Sequence, residues 1–146
     1  MQNFFDLYTG DNEIIKSVEN SIPINLLEND NKFSMIVGSN KSGKTSLAKS
    51  YSMLNQANLI FDIPKSLKNL KKTYLDLNSL NLADENLFHF LEYFISQDIG
   101  LTIFTSTDPL NVDENQAIIS DIKSRLSLFN IARIENPNDE LLFKLI

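Results

Sequence analysis

Few of the residues that build metal sites and covalent cross-links occur in this sequence. It has no cysteine and a single histidine, so disulfide bonds, thiolate metal sites and histidine-rich metal sites are excluded. No apolar run approaches the roughly 20 residues that a membrane-spanning helix needs. The first residues show no basic segment followed by an apolar core, so no signal peptide is predicted. Because the lack of cysteine suits a reducing compartment, we expect a cytoplasmic protein with no membrane attachment.

Positive charge is scarce as well. Lysine and arginine number 13 against 19 aspartate and glutamate residues, which gives a formal net charge of −6. A domain with this balance is poorly suited to holding nucleic-acid phosphates, so we expect no direct, specific binding to DNA. At 146 residues, of which 42% are hydrophobic, the chain is long enough for one domain with a substantial core.

Glycine is rare too, with four residues in the chain, but two of them stand five positions apart in one informative stretch. Residues 38–45 read Gly-Ser-Asn-Lys-Ser-Gly-Lys-Thr and match the pattern G-x-x-x-x-G-K-[ST] without a mismatch. The apolar run at residues 34–37 predicts a buried strand before it, and the spacing in residues 46–53 predicts a helix after it. A strand, a glycine-containing loop and a helix in this order predict a binding site for the phosphates of ATP or ADP.

Each part of this loop has a predicted role. Its backbone N–H groups are expected to point into one hollow beside the helix N-terminus, where they attract phosphate oxygens. Lys44 is expected to reach the β- and γ-phosphates, and Thr45 to offer its hydroxyl to Mg²⁺. The predicted nucleotide-binding residues are Gly38, Ser39, Asn40, Lys41, Ser42, Gly43, Lys44, Thr45 and Ser46. The alternative is a chance match in a loop rich in serine and lysine.

A magnesium site of this kind also needs an acid at the end of another strand, and Asp76 ends the predicted strand at residues 73–76. Asp76 is therefore a predicted Mg²⁺ ligand, with a strand-terminal turn residue as the alternative. Hydrolytic relatives place a second acid next to activate water, but here that position is Leu77. Because an aliphatic side chain cannot polarise water, we expect nucleotide binding with weak or absent hydrolysis.

Two further positions can contribute chemistry. Thr105 and Ser106 end a predicted strand, where a hydroxyl can sense the γ-phosphate or the attacking water, although an ordinary Ser/Thr turn explains them equally well. Arg125 lies near the end of a late predicted helix, from which an arginine can complete a neighbouring chain's nucleotide site. From the residues alone, a solvated arginine is the default interpretation of Arg125.

Five short apolar strands alternate with helices along the chain, which predicts a parallel sheet with helices on both faces. Residues 1–10 are expected to form an N-terminal arm and residues 11–146 the nucleotide-binding core. A helix is predicted from Asp11 to about Asn20, ended by Pro23. A short helix is predicted to open at Pro64 and to end in the basic run near Lys68, Lys71 and Lys72. A last helix is predicted at residues 139–146.

Several segments resemble one family. Residues 121–126 (Asp-Ile-Lys-Ser-Arg-Leu) and 134–142 (Ile-Glu-Asn-Pro-Asn-Asp-Glu-Leu-Leu) are similar to the run "D-L-[RK]-S-R-L … I-x-x-P-[DN]-D-E-L-L" of DnaA-type replication initiators. Residues 85–91 resemble the family's "E-x-x-L-F-H-L" helix, and residues 11–16 its "S-N-x-x-A" helix. The order and spacing of these segments agree over nearly the whole chain. The chain thus resembles the AAA+ domain of these initiators, and most of all their regulatory relative Hda in its alphaproteobacterial form.

This resemblance implies an AAA+ P-loop NTPase fold, a three-layer αβα sandwich around a five-stranded parallel sheet. It implies that Arg125 is an arginine finger acting on a partner's ATP, and that Thr105 or Ser106 is the sensor 1 residue. It implies the DnaA initiator as a partner and a role in limiting re-initiation. Hda-like proteins also bind the DNA polymerase III sliding clamp through an N-terminal motif of the kind Q-L-x-L-x-L. The matching residues here are Gln2, Phe4, Phe5 and Leu7, whereas Asn3 departs from the pattern; an arm that packs on its own domain is the alternative.

The chain also departs from the family. It stops at Ile146, so the helical lid of the family is expected to be absent, and nucleotide affinity is expected to be weaker than in the full family. Two other functions stay open. One is a small P-loop kinase or nucleotidase, which would need a substrate pocket, and the other is a scaffold whose nucleotide site has decayed.

Overall fold

The computed structural model describes residues 18–29, 31–39 and 43–134, which form alternating strands and helices. The strands are β1 (Phe33–Val37), β2 (Asn58–Ile60), β3 (Thr73–Asp76), β4 (Leu101–Thr105) and β5 (Asn130–Arg133). The helices are α1 (Val18–Glu28), α2 (Lys44–Leu54), α3 (Glu85–Gln97) and α4 (Ala117–Leu126), and Pro109–Asn111 forms a 3₁₀ turn.

The strands form one sheet in the order β2-β3-β4-β1-β5, and every pairing is parallel. β1 lies between β4 and β5, and Val37 at its end is in register with Thr105 on one side and Arg133 on the other. All five strands therefore end at the same edge of the sheet. This confirms the predicted five-stranded parallel sheet and places the loop after β1 at its carboxyl edge.

Helices cover both faces of the sheet. Neighbouring residues of a strand point to opposite sides, so each buried strand contributes apolar side chains to both faces. On one face, Met35 of β1 lies in a core cluster with residues of α3 and α4, among them Phe90 and Ile122. On the other face, Ile36 lies in a second cluster with residues of α1 and α2, among them Ile24 and Leu47. The predicted three-layer sandwich is thus confirmed.

The first predicted helix boundary was wrong. Pro23 does not end a helix but lies inside α1, where Ile24 and Leu27 are buried against the sheet. A proline inside a helix costs about 3 kcal/mol, whereas burying each large aliphatic side chain stabilises by about 1.5–3 kcal/mol. Packing of the two side chains therefore offsets the proline, which the local sequence signal could not show.

The predicted short helix at Pro64 was also wrong, because residues 61–72 form bends and irregular backbone rather than a helix. A segment of this length is too short to form a stable helix on its own. Here it is held instead by single hydrogen bonds, such as the one that the Leu70 N–H donates to the Tyr93 hydroxyl over 3.1 Å. The predicted strand at residues 34–37 and the predicted helix at residues 46–53 agree with the structure to within two residues. Residues 11–17 of the first predicted helix and the whole predicted helix at residues 139–146 lie outside the described residues.

Candidate functional site

The glycine-containing loop leaves the sheet at the end of its central strand. Gly38 directly follows β1 and is buried, and its N–H donates to the Thr105 carbonyl oxygen of β4 over 3.0 Å. On the other side, the Ile134 N–H donates to the Val37 carbonyl oxygen over 2.7 Å. The base of the loop is thus held from both neighbouring strands before the chain turns toward α2.

Gly43 ends the loop and precedes α2 in the left-handed conformation, with φ of +89° and ψ of 12°. Because glycine has no Cβ, it adopts this conformation without the strain that other residues incur. It also occupies the N-cap position and has no side chain to cap the first turn of α2, whose N–H groups attract anions. A Cβ placed on Gly43 would meet no heavy atom within 4 Å among the described residues, so open space adjoins this helix end.

Lys44 is folded back onto the start of the loop. Its ammonium group donates to the carbonyl oxygens of Gly38 and Ser39 over 2.7 and 2.5 Å, and the residue is 5% exposed. Burial lowers its pKa, and the negative charge of Asp76 acts in the opposite direction. An ammonium group can donate three hydrogen bonds. Two of them hold the start of the loop, and the third proton is left for a further acceptor.

The predicted magnesium ligands lie at the same edge of the sheet. Asp76 is half-buried at the end of β3, and its charge acts on Lys44. Thr45, in the first turn of α2, is exposed. Leu77 follows Asp76 with its N–H bonded to the Phe104 carbonyl oxygen over 3.0 Å, and its side chain packs against the core. The position of a second acid is thus filled by an apolar side chain.

The two hydroxyls at the end of β4 face the segment after β3. Thr105 is fully buried, and its hydroxyl donates to the Asn78 carbonyl oxygen over 2.9 Å. The Ser106 hydroxyl and N–H donate to the same oxygen over 2.6 and 2.8 Å. These bonds give both hydroxyls a positioning role, which is to fasten the Asp76–Asn78 segment to the end of β4.

Arg125 lies at the end of α4, away from the loop, and contacts α3. Its Nε donates to the Glu92 carboxylate over 2.7 Å, and its guanidinium carbon lies 4.7 Å from the centre of the Phe88 ring. The side chain remains 30% exposed. Arg125 therefore does not join the site formed by the loop of its own chain.

Other predicted residues fall differently. Ser46 lies in the first turn of α2 and is half-buried. Asn40, Lys41 and Ser42 lie outside the described residues, as do Gln2, Phe4, Phe5 and Leu7 of the N-terminal arm. Within the described parts of the chain, no helix is long and apolar enough to cross a membrane.

Solved structures of replication proteins share this architecture. The structure of DnaI superposes with a TM-score of 0.66 at 15% identity, over 88% of this chain and 87% of that one. AMPPCP-bound DnaA from Aquifex aeolicus superposes with a TM-score of 0.63 at 13% identity, over 90% of this chain and 51% of that one. Domain III of the Thermotoga maritima replication initiation protein DnaA gives 0.63 at 16% identity, over 88% of this chain and 68% of that one.

This chain shares the fold of these structures, a three-layer α/β sandwich around a five-stranded parallel sheet. It spans about half the length of the AMPPCP-bound DnaA from Aquifex aeolicus, and the described residues include no helical lid beyond the sheet and its covering helices. No protein-family model matches the chain, and no curated protein sequence matches it. At these identities the likeness shows the fold and leaves the function to be argued from the site.

Sequence reasoning missed one ion pair at the site. Arg133, at the end of β5, donates from Nε and from a terminal nitrogen to the two oxygens of Asp108 over 2.6 and 2.9 Å. No spacing signal joins two residues 25 positions apart, so only the sheet order could bring them together.

A cavity of about 490 Å³ also opens at this edge, on the side of β2 and β3. It extends from Leu77, next to Asp76, to the segment after β2 that carries Asp62 and Lys65. Cavities of 300–1,000 Å³ suit small molecules. This cavity was missed because its walls come from two loops that are adjacent only in the folded sheet.

Proposed function

We propose that this protein is a nucleotide-binding regulatory module of the Hda and DnaA type, which holds ADP or ATP with Mg²⁺ and acts on replication initiation. The observation that carries the nucleotide site is the geometry of the loop. Gly43 is left-handed at an open helix N-terminus, and Lys44 is buried against the carbonyl oxygens of Gly38 and Ser39. This arrangement presents N–H groups and one ammonium group to a phosphate chain.

The residues present fit a bound nucleotide with magnesium. Open space adjoins Gly43, where a side chain would otherwise stand. The loop and the first turn of α2 would hold the phosphates, while Thr45 and Asp76 would hold Mg²⁺, whose charge neutralises the phosphate oxygens. Because Leu77 supplies no base, we expect bound ATP to remain unhydrolysed far longer in this protein than in a hydrolytic relative.

A titration with fluorescent ADP in the presence of Mg²⁺ tests this site. Lys44→Ala removes the buried ammonium group and should abolish or strongly weaken binding. Lys49→Ala is the matched control, because Lys49 lies on the same helix, carries the same charge and is exposed. If the wild type does not bind ADP, the site has decayed and the protein is a scaffold.

The regulatory part of the proposal assigns Arg125 to a partner's nucleotide. In the isolated chain, Arg125 is bound to Glu92 and stacked on Phe88. A surface ion pair is worth about 0.2–1 kcal/mol, and a cation–π contact at an exposed site about 0.5–1 kcal/mol. Releasing Arg125 would thus cost about 1–2 kcal/mol, which a specific protein interface readily supplies.

Hydrolysis of initiator-bound ATP, measured with the sliding clamp present, tests this role. We expect this protein to stimulate phosphate release by DnaA and Arg125→Ala to lose the stimulation. Lys123→Ala, on the same helix, is the control. Equal stimulation by the wild type and Arg125→Ala would exclude Arg125 as a finger.

Docking to the clamp through the N-terminal arm is proposed from sequence resemblance alone. A clamp pull-down should retain the wild type and lose Gln2→Ala. Because Asn3 already departs from the motif, Asn3→Ala should behave like the wild type. Equal retention of the wild type and Gln2→Ala would remove the docking proposal and leave the nucleotide site untouched.

One observation favours a second function, a small P-loop kinase or nucleotidase. The 490 Å³ cavity adjoins Leu77, directly after the candidate magnesium ligand Asp76, where an acceptor of the γ-phosphoryl group could bind. Among the described residues, Lys65 is the one cationic side chain that lines the cavity, so an anionic acceptor is poorly matched. ADP formation with a panel of metabolites would support this function, and its absence would count against it.

A further inference from the structure

The ion pair between Asp108 and Arg133 joins the segment after β4 to the end of β5, and these two strands are not neighbours. β1 separates β4 from β5, and Val37 at its end is in register with both Thr105 and Arg133. Strands in a sheet lie about 4.8 Å apart, so the ends of β4 and β5 are about 10 Å apart. The two side chains together bridge this gap at the carboxyl edge, where β1 continues into Gly38.

Both residues of the pair lie on backbone that is held by hydrogen bonds. Arg133 belongs to β5, and the neighbouring Ile134 N–H is bonded to Val37 of β1. Asp108 is the N-cap of the 3₁₀ turn, where its Oδ1 accepts from the Leu110 N–H over 3.0 Å. The following Pro109 is buried. The pair is therefore a rigid link between the end of β5 and the segment after β4.

The geometry of the pair is that of a strong contact. Two parallel N–H···O bonds join a guanidinium to a carboxylate, and this arrangement is stronger and more directional than a single bond. The Asp108 side chain is 18% exposed, which limits screening by water. The hydrogen bond from Arg133 lowers the pKa of Asp108, so the carboxylate is ionised throughout the neutral range.

We propose that Asp108 and Arg133 form a positioning pair for the phosphate-binding loop. The pair holds the ends of β4 and β5 together across β1 and so fixes the base of the loop at Gly38, whose carbonyl oxygen anchors Lys44. Neither residue is assigned a contact with the nucleotide. The inference rests on the proposed nucleotide site and adds two residues that lie outside the loop.

A double-mutant cycle on ADP affinity tests the pair. Asp108→Asn keeps an oxygen for the Leu110 N–H but removes the charge, and Arg133→Gln removes the fork. Each variant should weaken ADP binding by about fivefold, the size expected when an ion pair worth about 1 kcal/mol is lost. The double variant should bind no more weakly than the weaker single variant, because both changes break the same link.

The ion pair between Lys32 and Asp98 supplies the control. It joins the segments just before β1 and β4 over 2.9 Å, at the opposite edge of the sheet, and both side chains are at least half exposed. Lys32→Gln should leave ADP affinity unchanged. Hydrogen exchange of the nucleotide-free proteins adds a readout that does not depend on ligand, since the Gly38 N–H should exchange faster in Asp108→Asn and Arg133→Gln than in the wild type.

Three other outcomes would contradict the proposed positioning role of Asp108 and Arg133. If Arg133→Gln weakens binding while Asp108→Asn leaves it unchanged or tightens it, Arg133 contacts the phosphates directly. If both variants bind ADP and exchange the Gly38 N–H like the wild type, the pair does not position the loop, while the nucleotide site stands. If the wild type itself does not bind ADP, the proposed function fails and this inference fails with it.

Discussion

The left-handed Gly43 at the start of α2 allows a sharp test of the loop geometry, because Gly43→Ala adds a single methyl group. The φ of +89° strains any residue with a Cβ, and this conformation costs about 1–2 kcal/mol. The new methyl group meets no heavy atom within 4 Å among the described residues, so no clash is added. The free energy of unfolding of the nucleotide-free protein should therefore fall by about 1–2 kcal/mol.

The effect on nucleotide binding should be separate and additional. If phosphate occupies the open space beside Gly43, the methyl group crowds it, and overpacking costs roughly 1–3 kcal/mol. The dissociation constant for ADP should then rise by about fivefold to about a hundredfold. Urea denaturation measures the first effect, and titration with fluorescent ADP below the unfolding transition measures the second.

Gly100→Ala is the matched control. Gly100 lies at the opposite edge of the sheet, where a Cβ would approach Lys72 Cγ to 3.3 Å and the Lys32 carbonyl oxygen to 3.4 Å. We expect a modest loss of stability and an unchanged affinity for ADP. If Gly43→Ala loses stability but binds ADP like the wild type, the open space beside Gly43 is not the phosphate site. An unchanged stability would refute the strain argument.

Three further predictions concern packing and pH. Phe90→Ala should lower the free energy of unfolding by about 3–5 kcal/mol, because Phe90 is fully buried, while exposed Phe61→Ala should change it little; guanidinium denaturation measures both. Burial raises the pKa of Tyr51, so the stability that the neutral hydroxyl contributes should be full below about pH 10, the ordinary pKa of tyrosine, and should fall as the pH rises further. Urea titrations at alkaline pH should show a smaller decline for Tyr51→Phe than for the wild type. Because Arg133 lowers the pKa of Asp108, the stability difference between the wild type and Asp108→Asn should be full above about pH 4 and shrink as the pH falls further, measured by thermal unfolding in acid.

Local signals along the chain were enough to place most of the strands. The predicted strand at residues 73–76 is β3 to the residue, because its apolar side chains alternate between two buried faces. Helix α3 has an equally local start signal in Asp84, whose side chain caps it by accepting from the Asn86 N–H. The same reasoning failed at Pro23, where the outcome depended on how deeply Ile24 and Leu27 are buried by distant residues.

The candidate site divides in the same way. A phosphate-binding loop could be predicted because its pattern lies in eight consecutive residues; in the structure, Gly43 is left-handed and Lys44 is bonded back to Gly38. The surroundings of Thr105 and Arg125 were not predictable, since their partners Asn78 and Glu92 lie 27 and 33 positions away.

A short run of residues thus sufficed to predict a ligand class, whereas the tertiary structure decided what surrounds the predicted site. Local backbone conformation depends on neighbours in the chain, so a glycine-containing loop between a strand and a helix can be recognised directly. The link between Asp108 and Arg133 depends on β1 lying between β4 and β5. That order follows from packing two helical layers on one sheet, and it can be seen only in the folded chain.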